Sequence, residues 1–308
     1  VTIVKGEEPV FCLKAVKNPV EIANTKNAHI KEGVAMARLQ MCLEEKLAAG
    51  ETVSETDVGE LLVDFRKEQE GYMEDSFAVI AAYGANAAMM HYHPTPENHA
   101  VLQRKGFLLL DTGGQYVDGT TDTTRTYALG ELTDEERRYY TYVLKANIGI
   151  ARTVFMEGCS GANLDIMSRT QIWKYGLDYR CGTGHGVGFV GPIHEGPQSL
   201  RMTNHVPFQP GMTITDEPGI YEEGLVGVRI ENELLVVEHM ETKYGKFYAF
   251  QPITYLPIDT TPVVLELMNE EEISWLNDYH QMVYDTLSPR MTERERIWLK
   301  EKTKPLEK

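Results

Sequence analysis

The N-terminal part of the chain contains two segments in which apolar residues recur at helical spacing. The first begins at Asn18, an N-cap followed by a proline at the first helical position. Glu21 is placed to complete a capping box, and the pattern extends to about Gly50. The second begins at Ser54 and ends near Glu68. The pattern therefore predicts two consecutive helices.

A second pair of helices is predicted in the middle of the chain. Thr133 and Glu136 form another capping-box pattern, which begins a helix that we expect to reach about residue 156. A further helix is expected over residues 162–174. A pair of helices is thus predicted twice along the chain.

Strand patterns follow each pair of helices. After the first pair, the apolar run 107–111 and the threonine-rich segment 120–127 flank a glycine-rich turn, which predicts two paired strands. After the second pair, glycine-rich strands are expected over 184–194, followed by a hairpin formed by 211–217 and 226–237. The pattern therefore predicts an α+β fold.

The two strand regions carry acids at corresponding positions. Asp111 ends an apolar run in the first region as Glu217 does in the second, and Asp122 and Glu231 lie on the two return strands. Two α+β segments can look alike by chance at this level of detail. If the repeat is real, one domain is built from two similar halves with a site between them.

The domain organisation follows from where the repeat ends. We assign residues 1–257 to one domain and residues 258–308 to a helix-rich C-terminal extension packed on it, with Trp275 and Tyr279 among its apolar anchors. The chain begins at Val1 without an initiating Met, so we expect either a processed chain or an excised fragment.

Composition narrows the range of partners. The 308 residues carry a formal net charge of −16, which argues against a nucleic-acid backbone or an anionic membrane surface as partner. No apolar run is long enough to span a bilayer. The cysteines form no CxxC pair, so we expect reduced thiols and a cytoplasmic location. The excess of acid is either a solvated surface or a set of carboxylates gathered for a cation.

The positions of four acids favour a cation site. Asp111 follows an apolar strand and Glu231 lies within another, where an unpaired carboxylate is costly to bury. Each acid alone could be a turn residue or a salt-bridged strand residue. Two inward-facing acids on each of two similar hairpins would repel one another, however, and two divalent cations would compensate four carboxylates.

Histidines supply candidate nitrogen ligands. His185 lies in Gly-Thr-Gly-His-Gly-Val-Gly, which lacks the pattern of a phosphate-binding loop, and its glycines suit close approach of the backbone to a crowded metal site. Alone, His185 could be a packed core residue. His91 and His194 are further candidates. A thermolysin-type zinc site is excluded, because Gln198 stands where an HExxH motif would need its second histidine.

Together these segments resemble the pita-bread-fold metallopeptidases, which include methionine aminopeptidase, prolidase and aminopeptidase P. The resemblance covers nearly the whole chain, is closest to the aminopeptidase P branch, and is carried by HYHP, LLLDTGGQY with TTDTTRT, GTGHGVG with HEGPQ, TDEPGIYEEG and GVRIENELLVV. The aspartates stand 11 residues apart and the glutamates 14, as in that family. The resemblance implies a fold of two similar halves, related by pseudo-twofold symmetry, around a dinuclear metal site.

The resemblance also implies a set of functional residues. Five are implied as metal ligands, the second and the last bridging the ions: Asp111, Asp122, His185, Glu217 and Glu231. Mn²⁺ is the expected metal, with Co²⁺ or Zn²⁺ as substitutes, because it suits oxygen ligands with one imidazole. Glu217 is further expected to accept the proton of a metal-bridging hydroxide nucleophile, and His91 and His194 to hold the carbonyl and the oxyanion. Arg229 is expected either to orient a carboxylate or carbonyl or to form a salt bridge with an adjacent strand acid.

The implied activity is hydrolysis of the N-terminal Xaa-Pro bond of peptides that have proline at the second position. Larger relatives carry N-terminal domains that this chain is expected to lack, and family members are commonly dimeric, which predicts a homodimer. One position departs from the family. Cys181 stands where the family often has a histidine on the substrate side of the site, so we expect the missing histidine to affect substrate affinity or rate. Cys181 could also be a plain buried residue.

Three alternatives have different consequences. A prolidase would cut Xaa-Pro dipeptides rather than longer chains. A non-catalytic binding module on the same fold would usually lack metal ligands, whereas all five are present here. A carboxylate-pair glycosidase needs two acids and gives no reason for the His185 segment.

Overall fold

The computed structural model describes residues 9–308. Over that range the α-helices are α1 (Pro9–Ala15), α2 (Pro19–Ala48), α3 (Glu55–Lys67), α4 (Asp134–Ala151), α5 (Gly161–Trp173), α6 (Glu270–Leu287) and α7 (Glu293–Lys302). The strands are β1 (Tyr72–Asp75), β2 (Ile80–Tyr83), β3 (Phe107–Thr112), β4 (Gly114–Tyr116), β5 (Gly119–Thr120), β6 (Thr123–Ala128), β7 (Val154–Met156), β8 (Gly184–His185), β9 (Ser199–Leu200), β10 (Thr213–Asp216), β11 (Gly219–Glu222), β12 (Val226–Arg229), β13 (Asn232–Thr242) and β14 (Gly245–Pro252). None of the helices described is both long enough and apolar enough to cross a membrane.

The long helices begin where their capping residues lie. The Asn18 side chain accepts hydrogen bonds from the second and third residues of α2, and the Glu21 carboxylate accepts the Asn18 N–H in return. Ser54 and Thr133 form the same reciprocal arrangement at the starts of α3 and α4. These side chains satisfy N–H groups that the first helical turn leaves unpaired, so the local sequence sets the helix starts.

Two similar αα-β halves form the body of the fold. In the first, α2 and α3 precede β3 and β6, which pair antiparallel with Asp111 opposite Thr124. In the second, α4 and α5 precede β10 and β13, which pair antiparallel with Asp216 opposite Asn232. Between the two long strands of each half lies a short hairpin, β4–β5 or β11–β12. The predicted α+β repeat is therefore confirmed.

Several predicted boundaries are wrong. The helix expected to reach residue 156 ends at Ala151, and Val154–Met156 is instead an edge strand paired with β14. The return strand expected over 226–237 is divided, because β12 pairs with β11 while β13 pairs with β10. Within 184–194 the structure has only the two-residue strand β8. These differences arise from the choice of strand partners, which local propensity does not encode.

The C-terminal segment packs on the core that both halves share. Leu276 and Tyr279 of α6 are buried in the main hydrophobic cluster. The buried Arg125 side chain on β6 donates hydrogen bonds to Asn232 Oδ1 on β13, the Leu256 carbonyl and the Tyr279 hydroxyl, each at 2.8 Å. One side chain thus joins the first half, the second half and the C-terminal helices.

Candidate active site

A cavity of about 250 Å³ lies between the two halves. Every residue to which the sequence assigns a site role lines it: His91, Asp111, Asp122, His185, His194, Glu217, Arg229 and Glu231. Apolar side chains from several segments also line it, among them Phe77, Ile80, Met90 and Ile193. The structure therefore brings the whole predicted set together.

The acids reach the cavity from corresponding places in the two halves. Asp111 lies near the end of β3 and Asp122 immediately before β6, while Glu217 follows β10 and Glu231 lies between β12 and β13. Antiparallel pairing of β3 with β6, and of β10 with β13, brings the acids of each half side by side. The spacings of 11 and 14 residues thus correspond to a strand, a short hairpin and a return strand.

Three of these side chains form a compact donor cluster. One donor atom each from Asp122, His185 and Glu231 lies within 4.8 Å of the others. His185 Nε2 lies 3.4 Å from Asp122 Oδ2 and also 3.4 Å from Glu217 Oε1. Two or more oxygens around one imidazole nitrogen form a donor set that suits a divalent transition metal.

Asp111 is held at the edge of this cluster. Its Oδ2 accepts a hydrogen bond from Arg229 Nη2 at 2.5 Å. Its Oδ1 is buried and has no hydrogen-bond partner among the described residues. A buried carboxylate oxygen without a partner is costly, and a cation beside it would satisfy it, so the residues present fit a metal.

Crowding of the acids changes their protonation equilibria. Burial, reinforced by the neighbouring carboxylates, raises the pKa values of Asp122 and Glu231 well above the ordinary range. Burial also raises the pKa of Glu217, against the opposing effect of the nearby His185 and Arg229. Cations between the carboxylates would favour their charged forms and remove this cost.

Hydrogen bonds from threonines orient two of the acids. Thr124 Oγ1 donates to Glu231 Oε2 at 2.7 Å, across the interface between the halves. Thr215 Oγ1 donates to Glu217 Oε1 at 3.2 Å. Each hydroxyl uses one oxygen of its carboxylate and leaves the other free for a ligand, which is how supporting hydrogen bonds commonly orient metal ligands.

The backbone around His185 is held closely. Its N–H donates to Thr215 Oγ1 at 3.0 Å, and its Nδ1 lies 3.0 Å from the Gly186 carbonyl. With the proton on Nδ1, that contact is a hydrogen bond and the Nε2 lone pair faces the acids. A Cβ on Gly184 would lie 1.7 Å from the Thr215 carbonyl oxygen, so this close approach requires glycine.

The remaining histidines and the arginine lie beside the cluster. The His194 ring packs edge-on against His185, with 4.0 Å between the ring centroids. Burial, together with His185 and His91, lowers the pKa of His194 to about 4. Arg229 is buried, and besides Asp111 it donates to the Tyr221 hydroxyl at 2.8 Å. The salt bridge considered for Arg229 is therefore present, and its partner is an acid of the site itself.

Cys181 also lines the cavity. Burial, with Glu217 nearby, raises the pKa of its thiol to about 11. A thiol with a raised pKa carries little thiolate near neutral pH, so nothing in its surroundings activates it as a nucleophile.

The sequence analysis did not assign roles to Thr124, Thr215 and Tyr221. Thr124 stands two residues after Asp122, and Thr215 two residues before Glu217. Period-two spacing on a strand places such residues on one face, and this signal could have identified both threonines. The contact of Tyr221 with Arg229 depends on the pairing of β11 with β12.

Comparison with known families agrees with this geometry. Residues 23–238 match the family described as "Metallopeptidase family M24", and residues 246–306 match the "C-terminal region of peptidase_M24". The chain belongs to metallopeptidase family M24. Its two similar halves are the pita-bread fold of that family.

Individual M24 relatives cover the chain almost completely. It is 41% identical over 309 residues to "Aminopeptidase P2" of Arabidopsis thaliana, covering 98% of this chain and 43% of that protein. It is 39% identical over 310 residues to "Xaa-Pro aminopeptidase 1" of Dictyostelium discoideum, covering 97% and 49%. The chain therefore spans about half the length of the curated relatives it matches.

Solved structures give the same family. A Caenorhabditis elegans X-prolyl aminopeptidase, described as a cytosolic enzyme with a di-nuclear active site, superposes with a TM-score of 0.93 at 35% identity, over 97% of this chain and 50% of that one. The prolidase of Pyrococcus furiosus superposes with a TM-score of 0.64 at 26% identity, over 80% and 66%. The agreement is thus closer with the aminopeptidase than with the prolidase.

Proposed function

We propose that this chain is the catalytic part of an Xaa-Pro aminopeptidase, which hydrolyses the bond between an N-terminal residue and a following proline. The observation that carries the proposal is the convergence of four carboxylates and one imidazole, contributed by both halves, on a single cavity. Similarity to Xaa-Pro aminopeptidases along almost the whole chain supports the substrate class.

We assign five residues of the cavity as ligands of two divalent cations: Asp111, Asp122, His185, Glu217 and Glu231. Asp122 and Glu231 are the proposed bridging ligands, which agrees with their deep burial and with their donor atoms lying within 4.8 Å. Mn²⁺ is the proposed metal, with Co²⁺ or Zn²⁺ as substitutes, on the chemistry of the donor set. When bound, such ions activate water near neutral pH and polarise the scissile carbonyl.

The chain's own side chains do the remaining work. Glu217, whose carboxylate lines the cavity beside His185, would accept a proton and pass it toward the leaving nitrogen. His91 and His194 would direct N–H groups at the substrate carbonyl and at the oxyanion that develops from it. Arg229 would keep Asp111 in place and bind a polar group of the peptide.

A substrate comparison tests the proposal. The chain, loaded with Mn²⁺, should release the first residue of an Xaa-Pro-Yaa tripeptide. Glu217→Gln should lower kcat by at least about a hundredfold, whereas Glu238→Gln, the same change at an exposed position on β13, should have no effect. Activity confined to Gly-Pro would show a prolidase instead.

The binding-module alternative predicts a different result. Metal analysis should find two bound divalent ions per chain, and both should be lost from Asp122→Asn. A chain that binds no metal and remains inactive with added Mn²⁺ would favour the module.

We further propose a cytoplasmic homodimer, which sedimentation of the purified protein and its localisation in cells would test.

A further inference from the structure

Glu55, the first residue of α3, is completely buried, and its carboxylate accepts hydrogen bonds from four donor groups. Oε1 accepts the Tyr83 N–H at 2.6 Å and Asn86 Nδ2 at 3.0 Å. Oε2 accepts the Tyr92 hydroxyl at 2.8 Å and the Ala100 N–H at 2.7 Å. Nothing in the sequence distinguishes this glutamate from the other 45 acids, and it is not part of the donor cluster formed by Asp122, His185 and Glu231.

All four donors lie in one connecting segment, residues 83–100, which runs from the end of β2 around one side of the cavity. The Glu55 N–H donates to the Ala100 carbonyl at 3.0 Å, so backbone and side chain together hold the far end of this segment to the start of α3. His91 lies within it, next to Tyr92.

His91 itself has no anchor. Its side chain is exposed in the cavity, and the described residues offer no hydrogen bond to its ring. Tyr92, by contrast, is only 6% exposed and points the other way, to Glu55. The position of the His91 imidazole is therefore set by its backbone, and the nearest side-chain hydrogen bond that fixes the backbone is the one between Tyr92 and Glu55.

We propose that Glu55 is the positioning residue for His91: its carboxylate holds residues 83–100 in the arrangement that directs the imidazole into the cavity. The inference rests on the proposed function insofar as His91 contacts substrate. A carboxylate is required because both oxygens accept from N–H or O–H donors. In Glu55→Gln an NH₂ group, which cannot accept a hydrogen bond, would replace one carboxylate oxygen. The donors that now bind that oxygen would then lose their acceptor.

A double-mutant cycle tests the coupling. Glu55→Gln should lower kcat/KM for an Xaa-Pro-Yaa peptide by roughly tenfold, less than the hundredfold that a 1 Å misplacement can cost. In the His91→Ala background the same change should have an effect of less than about twofold, because the imidazole it positions is gone. Tyr92→Phe, which removes a single donor, should act in the same direction with a smaller effect.

A matched control separates positioning from general loss of stability. Glu272 on α6 is a buried glutamate that pairs with Lys145 and does not line the cavity. Glu272→Gln should lower the thermal midpoint as Glu55→Gln does, but should leave kcat/KM unchanged. The metal content should be the same as in the wild type in the four single variants (Glu55→Gln, His91→Ala, Tyr92→Phe and Glu272→Gln) and in the double variant.

Hydrogen exchange tests the anchoring without relying on activity. Amides of residues 84–100 should exchange faster in Glu55→Gln than in the wild type or in Glu272→Gln, while those of β10 and β13 should not change. The inference is overturned if this segment exchanges at the wild-type rate, or if Glu55→Gln lowers kcat/KM equally with and without His91. Faster exchange in a chain that hydrolyses no peptide would refute the proposed function and leave the anchoring intact.

Discussion

The two acids of the donor cluster, Asp122 and Glu231, should affect the stability of the metal-free chain, and the size of the effect can be estimated from the distance between them. Asp122 and Glu231 place carboxylate oxygens within 4.8 Å of each other in a buried cavity, and a hydrogen bond from Thr124 reaches only one of the two. Without metal, the native chain must either hold these like charges together or take up protons. We therefore predict that Asp122→Asn stabilises the chain in the presence of a chelator.

The size of the effect follows from the distance. Two unit charges at 4.8 Å, the largest separation between donor atoms of the cluster, repel by about 3.5 kcal/mol at an effective dielectric constant of about 20. The raised pKa values of both acids let part of the charge disappear, so we expect a net gain of about 3 kcal/mol from removing one carboxylate. For a chain of 308 residues, a gain of about 3 kcal/mol raises the thermal midpoint by about 5 °C.

Thermal unfolding at pH 8, first with chelator and then with Mn²⁺, measures the stability of the metal-free chain and the stabilisation that the metal adds. In chelator, Asp122→Asn should have the higher midpoint. With Mn²⁺ at about 100 times its Kd, the wild type should gain about 2.7 kcal/mol for each ion, and the variant should gain much less. Asp64→Asn, at an exposed residue paired with Lys67, is the control and should change stability by less than about 0.5 kcal/mol. A variant less stable than wild type in chelator would refute the reasoning.

Two further predictions concern the buried His280 and the glycine beside the proposed histidine ligand. Burial lowers the pKa of His280 to about 4, so the unfolded chain binds the extra proton and stability should fall by about 3 kcal/mol as pH drops from 6.5 to 4. Denaturant titrations should show that His280→Gln loses this part of the pH dependence and that exposed His239→Gln keeps it. Gly184→Ala, whose Cβ would meet the Thr215 carbonyl oxygen, should abolish Mn²⁺ stabilisation in thermal scans, whereas Gly59→Ala, with room for a Cβ, should not; equal Mn²⁺ responses would contradict the close approach.

The ligand pattern was readable from the sequence because each half repeats the same local plan. An acid at the end of an apolar run, a short glycine-containing hairpin and an acid near the return strand occur in both, and the structure places all four acids in one cavity. The assignment of these acids and of His185 as ligands remains a proposal that metal analysis will decide.

Strand partners were less accessible to sequence reasoning. Residues 226–237 are mostly apolar and look like one strand, but β12 pairs with β11 and β13 with β10. Val154–Met156 continues a helical pattern but pairs with β14, more than 90 residues away in sequence. Such choices depend on which strand edges the rest of the fold leaves open.

The sequence by itself determined the helix starts, the α+β repeat and which acids line the cavity, because caps, periodicity and spacing are local properties. Asn18, Ser54 and Thr133 show this, since each satisfies N–H groups within three residues of itself. Only the tertiary structure decided that Arg229 pairs with Asp111, 118 residues earlier in the chain. Long-range contacts of this kind are settled by the packing of both halves together, because burial leaves each charged group dependent on whichever partner the fold brings to it.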